Sequence, residues 1–309
     1  MSQRTKLLAT QIDVFPLCLG GNVFGWTINQ DDSFKLLDAF AEAGGNFIDT
    51  ADTYSEWAPG NQGGESEKII GNWMKSRGNR HEMVIATKVA KYSKRPGLSA
   101  SNITSAVEES LNRLQTDHID IYYAHEDDHK VDQLETLTAF DNLVKTGKVH
   151  DIGASNFSAA RLRSAAEISK KNGLARFTAL QNHYNLMERS EFENDAAPVL
   201  KELEIDSFPY YALAVGFLTG KYQEGVTVES KRSQGASKYF NDRGWKVIAK
   251  VQEIANSHGV SCSAVALAWL RAKDQTPIAS ARTVEQLKEI MQLVELDPSE
   301  VSVLDQISL

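Results

Sequence analysis

Asp49, Tyr54, Lys88 and His125 stand at or just beyond the ends of short apolar runs, and together they offer an acid, a phenol, an amine and an imidazole. A tyrosine hydroxyl with its ordinary pKa of about 10 gives up its proton poorly at neutral pH. An ammonium beside it stabilises the phenolate, so Lys88 is expected to ease proton donation by Tyr54. Asp49 is expected to hold Lys88 charged and oriented, and His125 to hydrogen-bond a carbonyl oxygen or the phenol. Asp49 and Lys88 alone read as a structural ion pair, and His125 alone as a core histidine. All four at one place read as a tuned acid for a small-molecule carbonyl substrate.

Such a set works only if the fold carries its members to one rim. Apolar runs at 17–20, 46–50, 83–88, 119–125, 149–155, 178–182, 205–211 and 276–280 alternate with helical stretches. Runs of this kind suit parallel strands buried on both faces, each returned by a crossover helix. The helical stretches space their apolar residues by three and four, as in Phe34, Leu37, Phe40 and Ala41, or Val107, Leu111 and Leu114. Ser33, Ser99 and Asp132 are expected near helix starts, and Gly44, Gly147 and Gly173 at helix stops. A closed (β/α)8 TIM barrel and an open doubly wound sheet share this pattern. Eight strand–helix units over 309 residues favour the barrel, as a single α/β domain. Active sites of parallel barrels lie at the C-terminal strand ends, where the four residues fall. Residues 4–16 are expected to form a small hairpin over one barrel end, and 214–244 a long functional loop.

The formal net charge of −8 leaves no dense field of Lys and Arg, so neither nucleic acid nor an anionic membrane is expected as a partner. Cys18 and Cys262 are too few and too far apart for a disulfide framework or a cysteine metal cluster. No apolar run reaches the roughly 18 residues of a membrane span, and residues 1–10 lack an apolar leader segment; a cytoplasmic protein is expected. His125-Glu126-Asp127-Asp128-His129 straddles a strand end and a loop with no matching third cluster, so no metal site is expected there. The remaining histidines read as core or surface groups. Gly20-Gly21-Asn22 lacks the G-x-G-x-x-G spacing of a dinucleotide fingerprint.

Along nearly its whole length the sequence resembles the aldo-keto reductase superfamily, of the bacterial type related to potassium-channel β subunits. Asp49, Tyr54, Lys88 and His125 fall on that family's catalytic tetrad, with Asp and Tyr five apart, and Gly63-Gly64-Glu65-Ser66-Glu67 resembles the entry to its second helix. The resemblance implies a (β/α)8 barrel that reduces aldehydes or ketones to alcohols with NADPH, Tyr54 serving as general acid. It also implies an alternative, a cofactor-sensing regulatory subunit with very slow turnover.

Further site residues follow from the resemblance alone. Ser155 and Asn156, in Gly153-Ala154-Ser155-Asn156-Phe157, with Gln181, match the residues that bond the nicotinamide carboxamide, and Tyr210 matches the ring that stacks on the nicotinamide. Taken singly, Ser155 also reads as the cap of the next helix, and Tyr210 as a core aromatic. Leu213, Gly216, Leu218 and Lys221 match the loop over the pyrophosphate, the first three approaching through backbone. Ser280, Arg282, Gln286 and Glu289 match the adenosine end, where Ser and Arg grip a 2′-phosphate; this implies NADPH rather than NADH. The sequence departs from the family at Tyr211-Ala212, where Ser-Pro is usual, at Val215, usually a smaller residue, and at Ile290, usually Asn. Substrate choice is expected to lie in the loops 24–29, 56–64, 91–97 and 225–240, with Trp26 and Trp57 as apolar walls.

Overall fold

The structure, a computed structural model, describes residues 4–225 and 233–309. Thr5–Lys6 (β1) pairs antiparallel with Asp13–Val14 (β2), forming a hairpin. Eight parallel strands follow: Cys18–Gly20 (β3), Phe47–Asp49 (β4), Val84–Val89 (β5), Ile119–Ala124 (β6), Val149–Ser155 (β7), Phe177–Gln181 (β8), Asp206–Ser207 (β9) and Ile278–Ala279 (β10). Their order is β10-β3-β4-β5-β6-β7-β8-β9. Thr276 N–H donates to Ser207 O at 3.0 Å and Ile278 N–H to Pro209 O at 2.9 Å, which joins the two outer strands and closes the ring. The chain is therefore a (β/α)8 barrel, and the open doubly wound sheet is ruled out.

The run expected at 205–211 forms a ladder only at Asp206–Ser207. Pro209 has no N–H to give, so its ladder breaks there, although Phe208 and Tyr210 still donate to Leu180 O and Asn182 O. Ser33 is not a cap: the helix Gln30–Glu42 starts earlier, its first turn closed by Asn29, whose side chain accepts from Asp32 N–H. Ser99 and Asp132 do cap their helices. The stretch 214–244 is less irregular than expected, since a helix begins at Asp242 and short turns occupy Ala214–Thr219 and Ser233–Ala236. Part of it, 226–232, lies outside the described residues.

Strand alternation divides the core in two. Cys18, Phe47, Val84, Ala86, Ile121, Tyr123, Ala179, Phe208 and Ile278 fill the barrel, and Leu7 and Val14 of the hairpin join them. Ile48, Ile85, Tyr122 and Leu180 point the other way and pack under the helices. Tyr123 is large enough to require glycine opposite, since a Cβ on Gly153 would lie 2.4 Å from its ring. The hairpin is tethered by Asp206, whose carboxylate accepts the N–H groups of Leu8, Ala9 and Thr10 at 3.0 to 3.1 Å. One barrel end is thus plugged, and the other opens into a cleft of about 1310 Å3. Among the described residues no helix is long and apolar enough to cross a membrane.

Candidate active site

The two-residue period of the strands assembles the site. Beyond each inward-facing core residue the next on the same face is polar or small: Gly20 after Cys18, Asp49 after Phe47, Lys88 after Ala86, and His125 after Tyr123. Ser155, Gln181, Tyr210 and Ser280 stand two residues beyond Gly153, Ala179, Phe208 and Ile278. The inward face that packs the core thus ends in chemistry at the open rim.

Lys88 is fully buried and spends its ammonium on three acceptors. Its Nζ lies 2.7 Å from the Asp49 carboxylate, 2.7 Å from Thr50 O and 2.9 Å from Tyr54 Oη. Burial draws its pKa down while Asp49 opposes that shift. Lys88 was expected to pull the Tyr54 phenol down as well. Instead, burial and the Asp49 carboxylate hold Tyr54 well above the ordinary phenol range, because Tyr54 donates its own proton to Asp49 Oδ2 at 3.0 Å. The phenol is therefore fully protonated at neutral pH, with an ammonium already in place against the oxygen that would become negative.

His125 meets the Tyr54 ring edge to face at 6.1 Å, and its Nδ1 is buried without a hydrogen-bond partner among the described residues. Burial, then the positive charges of Lys88 and Lys91, hold this imidazole well below its ordinary pKa, so it is neutral. A neutral ring at this position can hydrogen-bond a carbonyl oxygen without competing with Tyr54 for its proton.

A second network flanks the first. Ser155 Oγ donates to Gln181 O at 2.7 Å, Asn156 Nδ2 donates to His125 O at 3.0 Å, and Tyr210 Oη donates to Asn156 Oδ1 at 2.8 Å. Ser155 is not the helix cap; Ser158 is. Gln181 Nε2 donates to Asp49 Oδ1 at 2.9 Å, tying the two networks together. His183 stacks on one face of Tyr210, with ring centroids 5.4 Å apart and planes 13° from parallel.

Leu213, Gly216, Lys221, Ser280, Arg282, Gln286 and Glu289 line the same cleft. Leu218 does not, because its side chain is buried in the core and its N–H donates to Leu213 O. The loop leaves ordinary backbone at two of the positions where the sequence departs from the family pattern, Tyr211 and Val215, with φ of 53° and 57°, and at Ala214, with φ of 47°. A β-branched residue in that region is strained, and such strain gathers at functional sites. At the far end Arg282 N–H donates to Gln286 Oε1 at 3.0 Å, and the Arg282 guanidinium has no partner among the described residues.

Sequence reading missed two residues here. Asn22 accepts from Ser280 Oγ at 2.8 Å, joining β3 to the Arg282 segment. Its signal was present in Gly20-Gly21-Asn22, a polar residue just past a strand end. Asn182 holds the left-handed Asn156 by accepting its N–H at 2.7 Å. In the acidic run after His125, Asp127 takes Arg161 through both oxygens at 2.6 and 2.8 Å, while Glu126 lines the cleft.

The sequence of this barrel matches known proteins. The profile of the aldo/keto reductase family covers residues 16–309. The chain belongs to the aldo/keto reductase family. It is 36% identical to norsolorinic acid reductase of Emericella nidulans, over 94% of this chain and 77% of that protein. It is 32% identical to a probable aryl-alcohol dehydrogenase of Saccharomyces cerevisiae, over 91% and 89%. It is 30% identical to the protein tas of Escherichia coli, over 96% and 94%. This aldo/keto reductase is accordingly an oxidoreductase enzyme of a family that acts on small carbonyl substrates.

Proposed function

We propose that this enzyme reduces aldehydes and ketones, above all flat aromatic ones, to alcohols with NADPH, and that Tyr54 is the general acid. The observation that carries the reading is the Tyr54 hydroxyl, held protonated at the cleft floor between Asp49 and Lys88. When bound, the reduced nicotinamide supplies hydride to the carbonyl carbon. The chain's own part is the proton. Tyr54 turns its hydroxyl from Asp49 to the carbonyl oxygen, Lys88 stabilises the phenolate left behind, and neutral His125 fixes the oxygen's position.

The lining of the cleft supports a dinucleotide. Ser155, Asn156 and Gln181 offer donors and acceptors suited to a carboxamide, and Tyr210 offers a ring face. A side chain on Gly20 would lie 2.5 Å from Ser280 Oγ, so its absence keeps the cradle open. The Arg282 guanidinium, without a partner among the described residues, supports a 2′-phosphate and hence NADPH.

The mouth of the cleft supports an aromatic substrate. Trp26 and Trp57 meet edge to face at 5.6 Å, Trp57 reaches within 6.1 Å of the Tyr54 ring, and Trp57 is 50% exposed. An indole left half bare above the proton donor is an apolar wall ready for a planar ring. One relative carries the name of a probable aryl-alcohol dehydrogenase. A panel of aromatic and aliphatic carbonyls, followed by loss of NADPH absorbance, tests the reading. Aromatic aldehydes should show the higher kcat/KM, and Trp57→Ala should lower it about tenfold for them alone. Failure of every carbonyl to consume NADPH would overturn the proposal.

A further inference from the structure

His118, Asp120 and His150 meet at the barrel end opposite the cleft. His118 directly precedes β6, Asp120 is the second residue of β6, and His150 is the second of β7. The two strands pair in register at Ile119↔Val149 and Ile121↔Asp151, so Asp120 and His150 are cross-strand neighbours. His118 and Asp120 share a strand face by the period of two. Ile121 is inside the barrel, so that face points outward. The pleat alone therefore gathers the three side chains. One donor atom from each lies within 4.8 Å of the others, and the two imidazoles stack at 4.6 Å with planes 23° apart.

Their hydrogen bonds leave the right atoms free. His118 Nδ1 lies 2.7 Å from Asp117 Oδ1, and a carboxylate only accepts, so the proton is on Nδ1 and the lone pair on Nε2. This is the carboxylate–histidine arrangement that orients metal-binding imidazoles. Asp120 Oδ2 is taken by Arg80 and by Ile85 N–H, each at 2.8 Å. Asp120 Oδ1 remains, 3.6 Å from His150 Nδ1. His150 is exposed, which gives an ion an entry path and lets its ring rotate to close the set.

We propose that His118, Asp120 and His150 form a binding site for a divalent transition-metal ion of the zinc class on the N-terminal face of the barrel. Arg80 already balances the charge of Asp120, so magnesium and calcium, which depend on carboxylate charge, find little here. Zinc, nickel and copper bind through imidazole nitrogen, with water completing the shell. The ion clips β6 to β7 and stabilises the fold. His125 lies at the other end of the same strand, about 17 Å from Asp120 and about 23 Å from His118 at roughly 3.3 Å per residue, so turnover is untouched.

Calorimetric titration of the full chain with zinc chloride tests the site, with thermal unfolding in zinc, magnesium and EDTA alongside. The expected result is one zinc ion bound per chain, a raised Tm in zinc, no response to magnesium, and a loss of affinity of about tenfold or more in both His118→Gln and His150→Gln. His150→Gln changes an exposed side chain, and its Tm in EDTA shows that it folds. No zinc binding up to about 1 mM, or full binding retained in His150→Gln, would overturn the proposal.

Discussion

Gln181 on β8 donates to Asp49 on β4 at 2.9 Å, so a side chain suited to hold the nicotinamide carboxamide also grips the carboxylate that holds Lys88. Binding and proton chemistry then share one hydrogen-bonded chain. Gln181→Leu should weaken NADPH binding and lower kcat, each by about tenfold, the worth of one good hydrogen bond. Fluorescence titration and steady-state rates measure the two effects. A change in binding alone would show that the bond to Asp49 does no work in proton transfer.

Tyr54→Phe removes only a hydroxyl. The fold and NADPH affinity should stay near wild type while the reduction rate falls about a hundredfold or more. Lys88→Met should act in the same direction, and the double variant should be little worse than the worse single one, because the two groups work as one unit. Since His125 is neutral well below its ordinary range and Tyr54 protonated well above its own, neither should limit the rate between about pH 7 and 9. Wild-type turnover in Tyr54→Phe would move the proton donor elsewhere.

Arg282→Ala should erase most of the preference for NADPH over NADH. A charge-assisted hydrogen bond contributes about 1.5–3 kcal/mol, or roughly 10- to 150-fold in affinity. NADH binding should barely change. Equal dissociation constants for both cofactors in the unmodified enzyme would remove the 2′-phosphate from this position.

Asp52 is 1% exposed, and burial, with the nearby Glu67 carboxylate, raises its pKa to about 7. In the unfolded chain it releases its proton near pH 4. Between those values the folded state binds more protons, so stability falls as pH rises and the penalty is complete above pH 7. Asp52→Asn removes the charge. The variant should match wild type near pH 4 and exceed it at pH 8 by up to about 4 kcal/mol, as read from urea unfolding. Equal stability at pH 8 would refute the burial penalty.

The barrel was legible because the order of apolar runs and helical periods is a local property that each segment carries by itself. The positions of Asp49, Lys88 and His125 at one rim were legible too, since a polar residue two places beyond an inward-facing core residue stands at the strand end on the same face; Tyr54, in the turn after β4, reaches that rim only in the folded structure. Tertiary structure alone decided what depends on distance through space. The pKa of Tyr54 shifted upward, not downward, because burial, and then an Asp49 carboxylate as close to the phenol as Lys88 is, outweigh the ammonium. The Gln181–Asp49 bond spans 132 positions, and the Ser280–Asn22 bond spans 258. No spacing rule reaches across such gaps; only ring closure brings β8 opposite β4 and β10 beside β3.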